Sequence, residues 1–183
     1  MFTILLGAIA LAAAACGGGS GDTGSSAHPP PVLSASAVAY LPSKAHALTA
    51  AGLGREIQRP ALTAALARWG FRSAAERSFQ GESHRLTVVD SRTLDFTAAA
   101  GARAYVGYVH THAAVYLGVY PTVLPFRSAG RSGWMFRAQS CACPHATALW
   151  LGVTSAGPRV TWLEINGPDA TAATLRALAD QAP

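Results

Sequence analysis

The densest reactive chemistry in the sequence lies in five consecutive residues, Cys141-Ala142-Cys143-Pro144-His145. In an extended chain, period two puts Cys141, Cys143 and His145 on one face. Two thiolates and an imidazole on one face are a ligand set for Cu(I) or Zn(II), with a fourth ligand drawn from elsewhere. In an oxidising compartment the same cysteines form a disulfide pair. Extended geometry spaces their Cα atoms by about 6.6 Å, near the limit for a bridge, so closure needs a turn of the kind Pro144 favours. Two buried free thiols are the third fate, and the sequence leaves all three open. A bridge across one residue removes little chain entropy, so its role would be redox or local rigidity.

Other side chains suggest weaker sites. Arg68, Arg72, Arg77 and Arg85 flank the turn Gly70-Phe71 and could line an anion site between a helix and a sheet; a solvated basic edge is the alternative. His110 and His112 share a face on a strand but sit about 200° apart on a helix, the state predicted for them, so no chelating pair is expected. His46 and His84 read as surface residues. The carboxylates Asp90, Asp95 and Glu164 are isolated in sequence, and Glu164 alternates with Trp162 and Val160 beside an apolar face. No Gly-x-Ser-x-Gly elbow, His-Glu-x-x-His helix or glycine-rich loop ending in Lys occurs. No catalytic residue is therefore assigned, no cofactor is required, and a non-enzymatic role is expected.

Met1 to Ala15 has no charged side chain and is almost wholly apolar, too short to span a bilayer but suited to a signal peptide. It ends in Ala13-Ala14-Ala15-Cys16, followed by a glycine run. Small residues, then Cys, then a flexible segment resemble the lipobox of bacterial lipoproteins. That resemblance implies acylation of Cys16, removal of residues 1–15 and anchoring to the outer face of the cell membrane. Cleavage without lipid, giving a secreted protein, is the alternative. Residues 16–37, rich in Gly, Ser, Ala and Pro, read as a flexible tether.

Residues 38–183 have the composition of one folded domain. The chain carries a net charge of +5, and its only Lys is Lys44. Its Arg residues are scattered, without the basic run that would track a phosphate backbone, so no nucleic-acid partner is expected. Helices are predicted over Ser43–Leu53, Pro60–Trp69, Thr97–His112 and Pro168–Gln181. Pro60 suits a first helical turn, and Leu62, Ala65, Leu66 and Trp69 form one apolar stripe. Strands are predicted over Arg85–Ser91 and Gly133–Gln139, with strand character over Val115–Val123. A hairpin runs Ala146–Thr154 and Arg159–Ile165 around Ser155-Ala156-Gly157-Pro158. The fold class is α+β, an antiparallel sheet with helices packed on one face.

The succession Trp69-Gly70-Phe71, Arg77, the Leu86–Val89 strand, Phe96 before Gly101-Ala102, Gly133 before a strand, the hairpin and a final Leu- and Ala-rich helix resembles small actinobacterial lipoproteins and related extracellular sensor-type domains. The resemblance implies an exported, non-catalytic module that binds a small molecule or an envelope protein. The expected site is a groove between helix and sheet lined by Trp134, Trp150 and Trp162.

Overall fold

The computed structural model describes residues 28–128, 130–139 and 148–183. Cys16, Cys141, Cys143 and His145, with the lipidation, disulfide and metal readings attached to them, lie outside the described residues.

Two antiparallel meanders form one seven-stranded sheet. The first is β1 (Ser43–Leu48), β2 (Phe71–Gln80) and β3 (Val88–Phe96). The second is β4 (Thr122–Ser128), β5 (Arg131–Gln139), β6 (Ala148–Ala156) and β7 (Arg159–Asn166). The strand order β1-β2-β3-β7-β6-β5-β4 joins them where β3 pairs with β7. Between β1 and β2 lie α1 (Ala50–Glu56) and α2 (Pro60–Arg68); α3 (Ala99–Leu117) crosses between the meanders, and α4 (Ala172–Gln181) follows β7.

Strand periodicity explains the layering. Leu94, Phe96, Phe136, Leu151, Val153, Val160 and Trp162 point to one face and are buried under α1, α2 and α3. Phe79, Val89, Met135, Trp150, Leu163 and Ile165 point to the other and are buried under α4 and the segment from Leu33 to Leu41. The α+β antiparallel sheet is thus as expected, but helices cover both faces instead of one. Strands β3, β6 and β7 carry apolar residues on alternating sides, and each side needs cover.

The N-terminal boundary also moves. Leu33 is fully buried, its N–H reaches Ser91 Oγ at 3.4 Å, and a short 3-10 helix spans Ala35–Val38. The folded domain therefore takes in residues assigned to the tether. Ser43–Leu48, predicted as helix, is an edge strand. Thr49 caps the next helix, accepting from Gly52 N at 3.0 Å, so α1 starts only at Ala50. β2 was not predicted as a strand at all. Among the described residues no helix is long and apolar enough to cross a membrane.

Two glycines in α3, each unfavourable for a helix interior, play different parts. A Cβ on Gly101 would lie 1.9 Å from the Trp69 carbonyl oxygen, so this glycine lets α3 dock on the turn after α2. A Cβ on Gly107 would meet nothing within 4 Å. Gly101→Ala is expected to destabilise the domain by about 1–3 kcal/mol. Gly107→Ala is expected to stabilise it by about 0.5–1 kcal/mol. Urea midpoints for the two variants decide the matter, and shifts of the same sign would contradict this docking.

Candidate functional site

Where β3 meets β7, the sheet register assembles charged residues from distant parts of the chain. One row across the face under α1, α2 and α3 runs His46, Glu76, Arg92, Trp162, each directly opposite the next. The adjacent row runs Lys44, Ser78, Asp90, Glu164. Because successive residues on a strand alternate, both rows face the same side as α1 and α3.

Arg92 is the centre. Its side chain is 11% exposed. Its Nη1 and Nη2 donate to Glu56 Oε2 and Oε1 at 2.9 and 2.6 Å, a bidentate pair with the last residue of α1. Its Nε donates to Glu76 Oε2. Burial alone would lower the pKa of the guanidinium, but the Glu56 and Glu76 carboxylates outweigh it and hold the charge firmly in place. The guanidinium also lies over the Trp162 ring, 5.2 Å from its centroid. His46, largely exposed, stands 3.7 Å from Glu76.

Arg92 thus takes up two carboxylates and leaves two. Asp90 accepts a hydrogen bond from Ser78 Oγ and has no ion-pair partner among the described residues. Glu164 is directly opposite it. Burial, then the Asp90 carboxylate, push the Glu164 carboxyl up to about 7, against the pull of Arg92. Like charges facing each other across a strand pair repel, and here one of the two holds a proton near neutrality. The floor beside them is apolar, since Leu151 is the other cross-strand neighbour of Glu164. The indole N–H of Trp162, one row away, is buried without a hydrogen-bond partner among the described residues. Tyr105 on α3 is fully buried, which pushes its hydroxyl up to about 12. The result is a pair of half-buried, opposed carboxyls beside apolar and aromatic side chains. Among the described residues no group of three or more His, Cys, Asp or Glu side chains could hold a metal ion.

His46, Asp90, Trp162 and Glu164, singled out in the sequence, lie in these rows; the other candidates fall elsewhere. Trp162 (2% exposed) and Trp134 lie on the face under α1, α2 and α3, whereas Trp150 lies on the opposite face. The three do not line one groove, because Trp150 pairs with Ile165, one residue out of phase with Trp162. Trp134 stacks instead on His110, ring centroids 4.1 Å apart. His112 stacks on Tyr108 at 4.0 Å, so the two histidines do not converge. The four arginines proposed for an anion site are dispersed. Arg68 is exposed at the end of α2, and Arg77 sits in mid-strand on β2. Arg85 lies over Tyr40 and 3.6 Å from Asp169. Arg72 lines a cavity with Arg131 and Arg159. Glu164 and Asp90, noted in the sequence only as isolated carboxylates, come together. Glu56, Glu76 and Arg92 were missed, since pairing a helix end with two strands far apart in sequence leaves no local signal.

No protein-family model matches the chain. No curated protein matches it. Among solved structures, the extracellular domain of PknH from Mycobacterium tuberculosis is similar over 77% of this chain and 75% of that one, at 13% identity and a TM-score of 0.38. A likeness of that size carries no argument about fold or function.

The raised Glu164 pKa fixes the sign of a pH effect. The folded state binds a proton here up to about pH 7, whereas the unfolded chain releases it near the ordinary value of 4.5. Stability contributed by this group is complete below about pH 4.5 and is lost as pH rises through about 7, by on the order of 2–3 kcal/mol. Chemical denaturation between pH 4.5 and 8.5 is expected to show this decline, and Glu164→Gln is expected to flatten it. An unchanged slope in the variant would mean that Glu164 titrates normally.

Proposed function

We propose that this chain is an exported cell-envelope protein, held at the outer face of the membrane through Cys16 or released after cleavage, and that it acts as a non-catalytic binding module. The ligand class is a positively charged organic group, ammonium or guanidinium, seated on Asp90 and Glu164. The observation that carries the reading is this pair of opposed carboxyls without an ion-pair partner among the described residues. Burial chiefly, and the Asp90 carboxylate second, hold the Glu164 proton on, and a bound cation would offset that repulsion. An organic cation needs only acceptors and a shaped floor, whereas a structural zinc site needs four ligands. The proposed address is supported by the apolar leader ending at Cys16 and by the Gly-, Ser- and Pro-rich segment after it.

Two measurements test the reading. Intact mass of the chain isolated from its host is expected to begin at Cys16 with acyl chains, or at a cleaved N-terminus in the medium. A chain that keeps Met1–Ala15 inside the cell would overturn the address. Calorimetric titration with agmatine, which carries both an ammonium and a guanidinium, is expected to give saturable binding at pH 8 that weakens below pH 7 as Glu164 takes its proton. Glu164→Gln and Asp90→Asn should each weaken it at least tenfold, while Glu82→Gln, an exposed loop position, should not. Equal effects of all three substitutions would reduce the interaction to general charge.

A further inference from the structure

The end of the sheet carries an opening with the reverse charge. A cavity of about 570 Å³ lies at the end of the sheet where the β6–β7 turn, the start of β2 and the end of β3 meet. Its size falls in the range of small-ligand sites. Arg72, Arg131 and Arg159 line it, with His28, Asp95 and Phe96 among the remaining walls.

These arginines are held differently. Arg159 is occupied on one side: its Nε and Nη2 donate to Asp95 Oδ1 and Oδ2 at 2.8 and 3.1 Å. Arg131 is fixed by neutral acceptors, with Nη1 donating to Thr161 Oγ1 and Nη2 to the Ala182 carbonyl at 2.6 Å. It forms no ion pair among the described residues. Asp180, the carboxylate that most influences it, is engaged by Ser128 Oγ. Arg72 stands at a shift of register between Phe71 and Ser73, a bulge that takes it out of the ladder with β3. It has no hydrogen-bond or ion-pair partner among the described residues.

A guanidinium presents five donors, and wherever its neighbours are neutral the positive charge stays uncompensated. Three guanidiniums around one cavity, with one carboxylate directly paired to them, form a binding surface for a negatively charged oxygen group. Arg is suited to this because its planar fork matches two oxygens of a carboxylate or phosphate. The Thr161 and Ala182 contacts pre-orient Arg131, which has little side-chain freedom left to lose on binding, whereas Arg72 at the bulge is ordered by the ligand itself.

We propose that this cavity is an oxyanion-binding site in which Arg72 and Arg131 engage a phosphate or carboxylate group while Arg159, braced by Asp95, forms the wall. It is separate from the opposed carboxyl pair: the ligand charge is opposite, the cavity lies at the end of the sheet, and no residue is shared.

The test uses the purified chain and calorimetric titration with inorganic phosphate and with succinate at constant ionic strength, alongside sedimentation with phosphatidylcholine vesicles with and without phosphatidic acid. Saturable binding is expected for at least one oxyanion, weakened at least tenfold by Arg72→Gln and by Arg131→Gln and unchanged by Arg68→Gln. Arg72 is exposed and has no side-chain hydrogen bond or ion pair among the described residues, so its variant keeps the test valid if Arg131→Gln loosens the end of the sheet; circular dichroism checks both. Binding of free phosphate or succinate assigns a soluble ligand, whereas binding only to phosphatidic acid vesicles assigns a lipid headgroup. The absence of binding to every probe would overturn the proposal, as would equal losses in the Arg68 and Arg72 variants.

Discussion

The pairing of β3 with β7 is the constraint on which the rest depends. Each meander alone is a three- or four-stranded ribbon with an open edge, and the seam closes both edges at once. The crossover that makes it possible is α3, which packs against β3, β5, β6 and β7 and so ties the halves together from one side. From the other side, α4 packs on β6 and β7 while Leu33 reaches back to Ser91 on β3. Chain segments from both ends thus converge on the same central strands. Pairing so far apart in sequence carries a loop-closure cost that only burial on both faces can repay.

Charge at the seam reinforces this register. A one-residue slip of β3 would send Arg92 to the opposite face, into Met135, Leu163 and Ile165, and strand Glu56 and Glu76 without their cation. Removing one partner of a buried ion pair typically costs 3–5 kcal/mol, by the uncompensated charge it leaves. The correct register satisfies the guanidinium on three nitrogens and places its plane over Trp162. The Arg92 cluster therefore acts more as a lock on alignment than as net stabilisation, because desolvating three charges offsets most of the attraction between them. Asp90 and Glu164 run against that logic. They are the one like-charged pair opposed across the seam, and the proposed cation site rests on that repulsion.

Elements with strong local signals were legible in the sequence. The β6–β7 hairpin around Gly157-Pro158, α2 behind Pro60 and α4 each carry their own periodicity and boundary residues, and the structure places them close to the predicted limits. β1 and β2 were not legible. Ser43–Leu48 and Phe71–Gln80 contain Ala, Lys, Glu and Arg and no β-branched residue, a composition that favours helix in isolation. Cross-strand pairing decides their state, since strand preference is set by neighbours more than by the backbone itself. The site suffered from the same omission. Glu164 beside Trp162 was visible as an acid next to an apolar strand, yet its meaning lies in the register that sets it against Asp90. With β2 unrecognised, neither Glu76 opposite Arg92 nor the bulge at Arg72 could be placed.

The tether limits how far the arginine cavity can stand from the membrane. His28, the first described residue, lines the arginine cavity. Twelve residue steps separate His28 from Cys16, a reach of roughly 40 Å at full extension and about 20 Å as a flexible coil. On the proposed anchoring, this reach keeps the cavity within about 40 Å of the lipid surface, where phosphate headgroups are dense. Asp90 and Glu164 lie on the face covered by α1, α2 and α3 and line no part of that cavity. On these two proposals the domain binds opposite charges at two places, and β2, β3 and β7 contribute residues to both.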